Sequence, residues 1–559
     1  MGISTTEKVA STNDDGPTTP VTSTREMRVR LVLIVLTGAF YLATVWRFFN
    51  YLQDDAFITL RYALNYAMGY GWVLTAGDPV EGYTSPAHLW LVTAVLKHLG
   101  TGRDVASGHV IDSTIFALKY LGVVIGVAVL FLTARLAKLA LPAYPRAAWI
   151  APLIVAWHPG FGLSMINVME TGMATLFLTY GLVRFLEEDQ QPSRWQIPSL
   201  LVFITAALTR PELTVIYPAL LLVSRRNRRG MLTGIAYAAA IACFELWRHH
   251  AYGAWLPNTY YAKWNPLSQI FDGLFYLSVN ALPAQVPPGF LVIAWGFIFA
   301  LRQNRSVLPL VVATAIYMAF VVTSGGDWMQ EGRFVTPILP AVSVAIAAGL
   351  ASIVSRQNRK QTWRETSARL ATTPSFGTRH RAAIALCVLM LVDAGPRWIE
   401  AGSIVSPRNF AETIKPHAPL LRWSSCEPLG RINMARWVAS HAKPGQLVVT
   451  SELGLVSVYN PRVNFVDFRG LADSHISRMA EYQHGKYGVF IDDWMDPNRL
   501  AAPYLLSRRP DYVIILDDND QYTAAYPASK LYKPSGSFYI QLDHIGENLF
   551  LVTTWARKH

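Results

Sequence analysis

In a chain of 559 residues, 52% of the side chains are hydrophobic and only 15% are charged, with a mean hydropathy of +0.25. Soluble chains carry about a quarter charged residues, so this deficit excludes an ordinary soluble enzyme and points to a membrane protein of at least two structural units. The net charge of +12 comes from short basic clusters between apolar runs, the pattern of cytoplasmic loops, which argues against nucleic acid as a partner.

Residues 1–29 are rich in Ser, Thr, Asp and Pro and read as a disordered cytoplasmic tail. The apolar run behind them has no small-residue cleavage site after it, so it is expected to be a retained first span and not a signal peptide. Apolar runs lie at 30–49, 115–138, 147–157, 165–186, 197–209, 213–224, 231–248, 288–301, 307–323, 335–354 and 382–397, which gives about eleven transmembrane helices. Several are shorter than the roughly 20 residues a full crossing needs, and are expected to be broken helices or longer ones with polar ends in a cavity. Arg and Lys cluster in the tail, at 225–229, at 302–305 and at 356–381, and alternating spans put all of these clusters in the cytoplasm.

The same alternation sends Asp54-Asp55, Trp157-His158-Pro159, Thr209-Arg210-Pro211-Glu212, the stretch 257–263 and Gly325-Gly326-Asp327-Trp328 to the opposite face. The expected organisation is a transmembrane unit over 30–399, its first extracytoplasmic loop at 50–114, and an extracytoplasmic soluble α/β domain over 400–559. Within the last, a helix at 432–441, strands at 446–450, 463–467 and 511–516, a helix at 500–507 and a final hairpin are expected.

Asp54-Asp55 follows the first span directly. Two neighbouring carboxylates repel, so one can have a raised pKa, and both favour a cation or a hydroxyl as partner. One of them could serve as general base on a sugar hydroxyl. After them Phe57, Leu60, Leu64, Ala67 and Met68 recur near helical spacing with Arg61 and Asn65 between, the pattern of an amphipathic helix lying in the membrane interface. Glu81-Gly82-Tyr83-Thr84-Ser85-Pro86 is a polar turn. Glu170 interrupts an apolar run, as do Arg210 and Glu212 around Pro211, and ionisable groups at such depth face a cavity or a partner. A purely architectural Arg–Glu pair is the alternative. His158, His249, His250, Lys263 and Arg333 add cationic or hydrogen-bonding groups suited to phosphate, arginine above all. Cys243, Cys387 and Cys426 show no metal or disulfide spacing, and no Walker loop, HExxH or GxSxG motif is present.

The stretches QDDAFITLRYALNYAMGYGWVLTAGDPVEGYTSP (53–86), HPGFGLSMINVMETGM (158–173), LTRPEL (208–213), YGAWLPNTYYAK (252–263), SGGDWMQEGRFVTPILP (324–340) and VDFRGLADSHI (466–476) resemble the GT-C superfamily, multispanning glycosyltransferases that use polyprenyl-phosphate sugars. The closest resemblance is to the actinobacterial cell-wall enzymes that add terminal β-(1→2) arabinofuranose, and to related pilin arabinosyltransferases. The resemblance implies Asp54 and Asp55 as the catalytic pair of an inverting transfer. It makes Glu81, Tyr83, Glu170, Arg210, Glu212, Asn258, Tyr260, Lys263, Asp327 and Arg333 candidate substrate contacts, and His158 joins them as a supporting hydrogen-bonding group on the same face. It further implies a bacterial plasma-membrane location, a polyprenyl-phosphate donor, a glycan or glycoprotein acceptor, and a carbohydrate-binding role for the C-terminal domain. No particular cofactor is implied, and a divalent cation at the acid pair stays open. Departures at Ser85, at 168–171 and at Leu213 leave the sugar and acceptor open. A mannose or other hexose transferase is the alternative enzyme, and a lipid-sugar flippase the alternative of another class.

Overall fold

The computed structural model describes residues 24–100, 102–190, 197–224, 228–263, 269–280, 288–327, 332–352, 429–450, 452–479, 504–505, 507–517, 532–541 and 549–557. Its helices are α1 (Thr24–Phe48), α2 (Asp54–Ala67), α3 (Pro86–Leu99), α4 (Gly108–Ala140), α5 (Ala147–Trp157), α6 (Pro159–Ile166), α7 (Thr171–Gln190) and α8 (Ile197–Thr209). They continue with α9 (Ile216–Val223), α10 (Arg228–Tyr252), α11 (Asn258–Lys263), α12 (Gln269–Asn280), α13 (Pro288–Gln303), α14 (Leu308–Thr323) and α15 (Thr336–Ser352). After these come α16 (Leu429–His441) and α17 (Gly454–Val458).

Among the described residues, four helical stretches are long and apolar enough to cross a membrane: Glu26–Phe48, Gly108–Ala140, Gly230–Tyr252 and Arg305–Thr323. The pair α5 and α6, bent by 69° at His158-Pro159, makes a fifth if counted as one broken span. The chain is therefore a multi-pass membrane protein. The remaining apolar helices, such as Ile197–Thr209 and Thr336–Ser352, are too short to span alone. The run at 165–186 starts its helix only at Thr171, because residues 167–170 form a break. The expected span at 382–397, the basic stretch at 356–381, Trp328, Cys387 and Cys426 lie outside the described residues, as does most of the helix expected at 500–507.

The C-terminal strands are β1 (Leu447–Thr450), β2 (Asn464–Asp467), β3 (Tyr512–Asp517), β4 (Tyr532–Gln541) and β5 (Leu549–Arg557). They form one sheet in the order β2-β1-β3-β5-β4. β1 runs parallel to both β2 and β3, with Val448 opposite Phe465 and Tyr512, and β3-β5-β4 is antiparallel.

A single apolar core joins this segment to the loop after the first span. Phe57, Leu60, Leu64, Leu89 and Val92 of α2 and α3 pack with Met434, Val438, Val448, Leu455, Val456 and Phe465. The C-terminal segment is thus docked on the membrane part by a shared interior, which removes apolar area from water on both sides.

Candidate active site at the junction of α2, the α6–α7 break and the C-terminal segment

Asp54 and Asp55 occupy the first turn of α2, where the helix dipole favours negative charge. Their surroundings differ. Asp54 is buried, and its carboxylate accepts the backbone N–H of Gly454 (Oδ2, 3.1 Å) and of Leu455 (Oδ1, 2.8 Å), so it caps α17 from across the interface. A Cβ at Gly454 would stand 2.2 Å from the Asp54 carbonyl oxygen, which is why the closest approach is made by a glycine. Burial pushes the Asp54 carboxyl up, against the pull of Arg431 and with a further push from Glu452. Asp55 is half-buried, and its charge is felt by Arg333 and by Arg431.

The rest of α2 corrects the expectation of an interfacial helix. Arg61 is 2% exposed and donates to the carbonyls of Ser457 (2.8 Å), Val463 (2.9 Å), Asn460 (3.4 Å) and Leu74 (3.2 Å). Asn65 donates to Val73 and Leu74. The polar stripe of α2 therefore faces the C-terminal segment and its own loop, where buried carbonyls need donors, and not lipid headgroups.

The second part of the site is built on two helix breaks. At the α6–α7 break Val168 takes φ of 59°, a left-handed conformation that costs a β-branched residue energy, and Glu170 follows it. At the break after α8, Arg210 donates to Glu170 Oε1 at 2.8 Å and also pairs with Glu212. Arg333 pairs with Asp327 at 2.6 Å, and both guanidiniums lie over the Phe334 ring, at 4.7 Å for Arg210 and 5.1 Å for Arg333. Glu170 also feels Arg333 and His88. Glu170, Arg210, Glu212, Asp327 and Arg333 thus form one cluster, and Arg333 connects it to Asp55.

Other candidates lie elsewhere. Glu81 is buried in an ion pair with Arg248 (2.8 Å), which also holds Glu245. Tyr83 bonds to the Tyr252 hydroxyl at 2.9 Å. Asn258 donates to the carbonyls of Gly470, Leu471 and Asp473 and accepts from Ser477, which makes it a docking residue for the C-terminal segment. Tyr260 and Lys263 are exposed on the short α11, and His158 is buried at the bend between α5 and α6.

Residues that sequence reasoning missed complete the site. His88 of α3 is buried beside Glu170, and burial pushes its imidazole down. Its only sequence signal is a histidine inside an apolar helix. Arg431 and Arg469 of the C-terminal segment both pair with Glu452, at 2.5 Å and 2.7 Å. These two arginines overcome the penalty of burial and hold the Glu452 carboxyl below its ordinary range. Among the described residues no group of three or more His, Cys, Asp or Glu side chains converges as metal ligands would.

Acids beside guanidiniums at the breaks of a helical membrane bundle fit a membrane glycosyltransferase, and sequence comparison defines the chain as one. It belongs to the Alg9-like mannosyltransferase family, whose model matches residues 104–393, and a domain of unknown function matches residues 422–555. No curated protein matches it in sequence. Among solved structures it is similar to ArnT from Cupriavidus metallidurans bound to undecaprenyl phosphate, at 12% identity over 94% of this chain and 98% of that one, with a TM-score of 0.49. It is similar to the oligosaccharyltransferase AglB from Archaeoglobus fulgidus in complex with an inhibitory peptide and a dolichol-phosphate, at 12% identity, 95% and 76% coverage and a TM-score of 0.49. The mycobacterial arabinofuranosyltransferase AftD is similar at 12% identity over 95% of this chain and 40% of that one, with a TM-score of 0.44.

Proposed function

We propose that the protein is an inverting transferase that moves a pentofuranose, arabinofuranose first, from polyprenyl phosphate to a glycan or glycoprotein hydroxyl on the extracytoplasmic side, in a bacterial plasma membrane. The observation that carries this reading is the contrast within the acid pair. Asp54 spends both carboxylate oxygens on backbone N–H groups, whereas Asp55 is half-buried and its charge is felt by Arg333 and Arg431. In the proposed step Asp55 accepts the proton of the acceptor hydroxyl. The oxygen attacks the anomeric carbon from the face opposite the phosphate, and the bond from that carbon to the phosphate oxygen breaks with its electron pair. Arg333 and Arg210 meet the charge of the departing phosphate, in a setting where fixed cations act more strongly than in water.

The family match favours a second reading, in which the same site transfers mannose. The test is transfer from synthetic polyprenyl-phospho-arabinofuranose and from polyprenyl-phospho-mannose by wild type, Asp55→Asn and Asp54→Asn. Loss of activity confined to, or far greater in, Asp55→Asn supports it as base, and the donor used decides the sugar. Wild-type activity in Asp55→Asn rules it out.

A further inference from the structure

Lys119 lies in the N-terminal half of α4, the longest and most apolar of the candidate spans, four residues into its apolar run, and is 0% exposed. A lysine at such depth is costly, and the cost persists only where something fixes the ammonium. Here its Nζ donates to two main-chain carbonyls, Tyr51 at 2.5 Å and Ile166 at 2.9 Å. Tyr51 lies three residues before Asp54, in the non-helical link between α1 and α2. Ile166 ends α6, four residues before Glu170, and its carbonyl is one that helix termination leaves without an intrahelical donor. One turn further along α4, a Cβ at Gly122 would fall 1.8 Å from the Met165 carbonyl oxygen, so α4 is pressed against this same end of α6.

One ammonium therefore ties together the two irregular stretches that deliver the acid pair and the Glu170–Arg210–Arg333 cluster. We infer that Lys119 is a positioning residue for the transfer reaction, setting the separation between Asp55 and the guanidinium cluster from beneath the site. This inference rests on the transferase reading above. A hydrophobic residue of the same length could fill the space, but it would remove the shared donor that ties these two carbonyls together. A shift of about 1 Å in a reacting geometry can cost on the order of 10²-fold in rate.

The test uses the full-length protein in detergent with a polyprenyl-phospho-sugar donor that the wild type accepts, and compares Lys119→Met, Lys119→Arg and Asp55→Asn. Lys119→Met is expected to lower kcat by about 10²-fold with donor KM within about threefold, because it disturbs geometry and not binding. Lys119→Arg keeps a cation on the same carbonyls in a different shape and is expected to recover part of that loss. A wild-type kcat in folded Lys119→Met overturns the inference, as does a loss confined to KM. Failure of both variants to fold also overturns it, leaving Lys119 a staple for the fold alone. Wild-type activity in Asp55→Asn would sink the base assignment, and with it the claim that Lys119 acts by placing Asp55. An inactive Asp55→Asn beside a fully active Lys119→Met would sink the positioning role alone.

Discussion

Replacing Arg61 by methionine isolates the polar part of the contact between α2 and the C-terminal segment. Methionine keeps most of the apolar stem, so packing changes little while four donated hydrogen bonds disappear. Burial pushes the guanidinium down to about 10, so it is still charged at neutral pH, and it is held there by carbonyl oxygens. Three of those carbonyls, on Ser457, Asn460 and Val463, belong to the far side of the interface. Hydrogen bonds from a charged donor contribute roughly 1.5–3 kcal/mol each, and stranded buried carbonyls cost about 1–3 kcal/mol each. The desolvation of Arg61 itself is recovered on mutation, which brings the expected net loss to roughly 3–5 kcal/mol. Hydrogen exchange of the amides of α17 should then be at least about 10²-fold faster in Arg61→Met, since each 1.4 kcal/mol is a factor of ten. Unchanged protection of α17 would refute the claim that Arg61 is the docking residue.

Gly454→Ala puts a methyl 2.2 Å from the Asp54 carbonyl oxygen and 2.6 Å from its carboxyl carbon, so it should expose α17 to exchange as Arg61→Met does. The control Gly77→Ser, at a loop glycine with open space around it, should leave that contact intact, although its φ of +82° costs local stability. Asn258→Ala should lower the apparent Tm through loss of its bonds to Gly470, Leu471, Asp473 and Ser477, yet leave donor KM unchanged in the folded fraction. A raised KM with no loss of stability would return Asn258 to the substrate site. Burial raises the Glu81 carboxyl to about 7 despite Arg248. The stability linked to it is complete below the unfolded value of 4.5 and is lost as pH rises through about 7, at most roughly 3 kcal/mol. Wild type should therefore lose apparent Tm between about pH 4.5 and 7 more steeply than Glu81→Gln, and equal slopes would contradict the assignment.

Much of the site is legible in the sequence because the membrane makes charge conspicuous. Glu170, Arg210 and Glu212 stand out against apolar runs, and the structure brings them together with Asp327 and Arg333. The breaks at 167–170 and at Pro211 are less legible, since they shorten helices that composition alone extends. What a polar face looks at is not legible at all. Arg61 and Asn65 have the spacing of a headgroup-facing stripe, and only contacts to residues nearly 400 positions away show that Arg61 faces protein. That Asn258 bonds to the C-terminal segment is hidden in the sequence for the same reason. Lys119 and His88 escape notice because a single polar residue inside a long apolar window barely alters its hydropathy.

The acid pair shows how two identical neighbours are given different work by their surroundings. On sequence grounds Asp54 and Asp55 are interchangeable. In the structure Asp54 is consumed by the N-terminus of α17, while Asp55, on the same first turn, stays half-buried near two arginines. One of those arginines, Arg431, comes from the C-terminal segment, fixed through Glu452 and Arg469. Docking and the proposed chemistry therefore share a turn of helix and a guanidinium. Loosening the interface at Arg61 moves the cap, the cap moves Asp54, and Asp55 moves with it. On the proposed reading, variants that open α17 to exchange must lose kcat in step with that opening, even though none of them touches the substrate. A C-terminal segment that served only to collect acceptor would instead show itself in acceptor KM, with turnover intact.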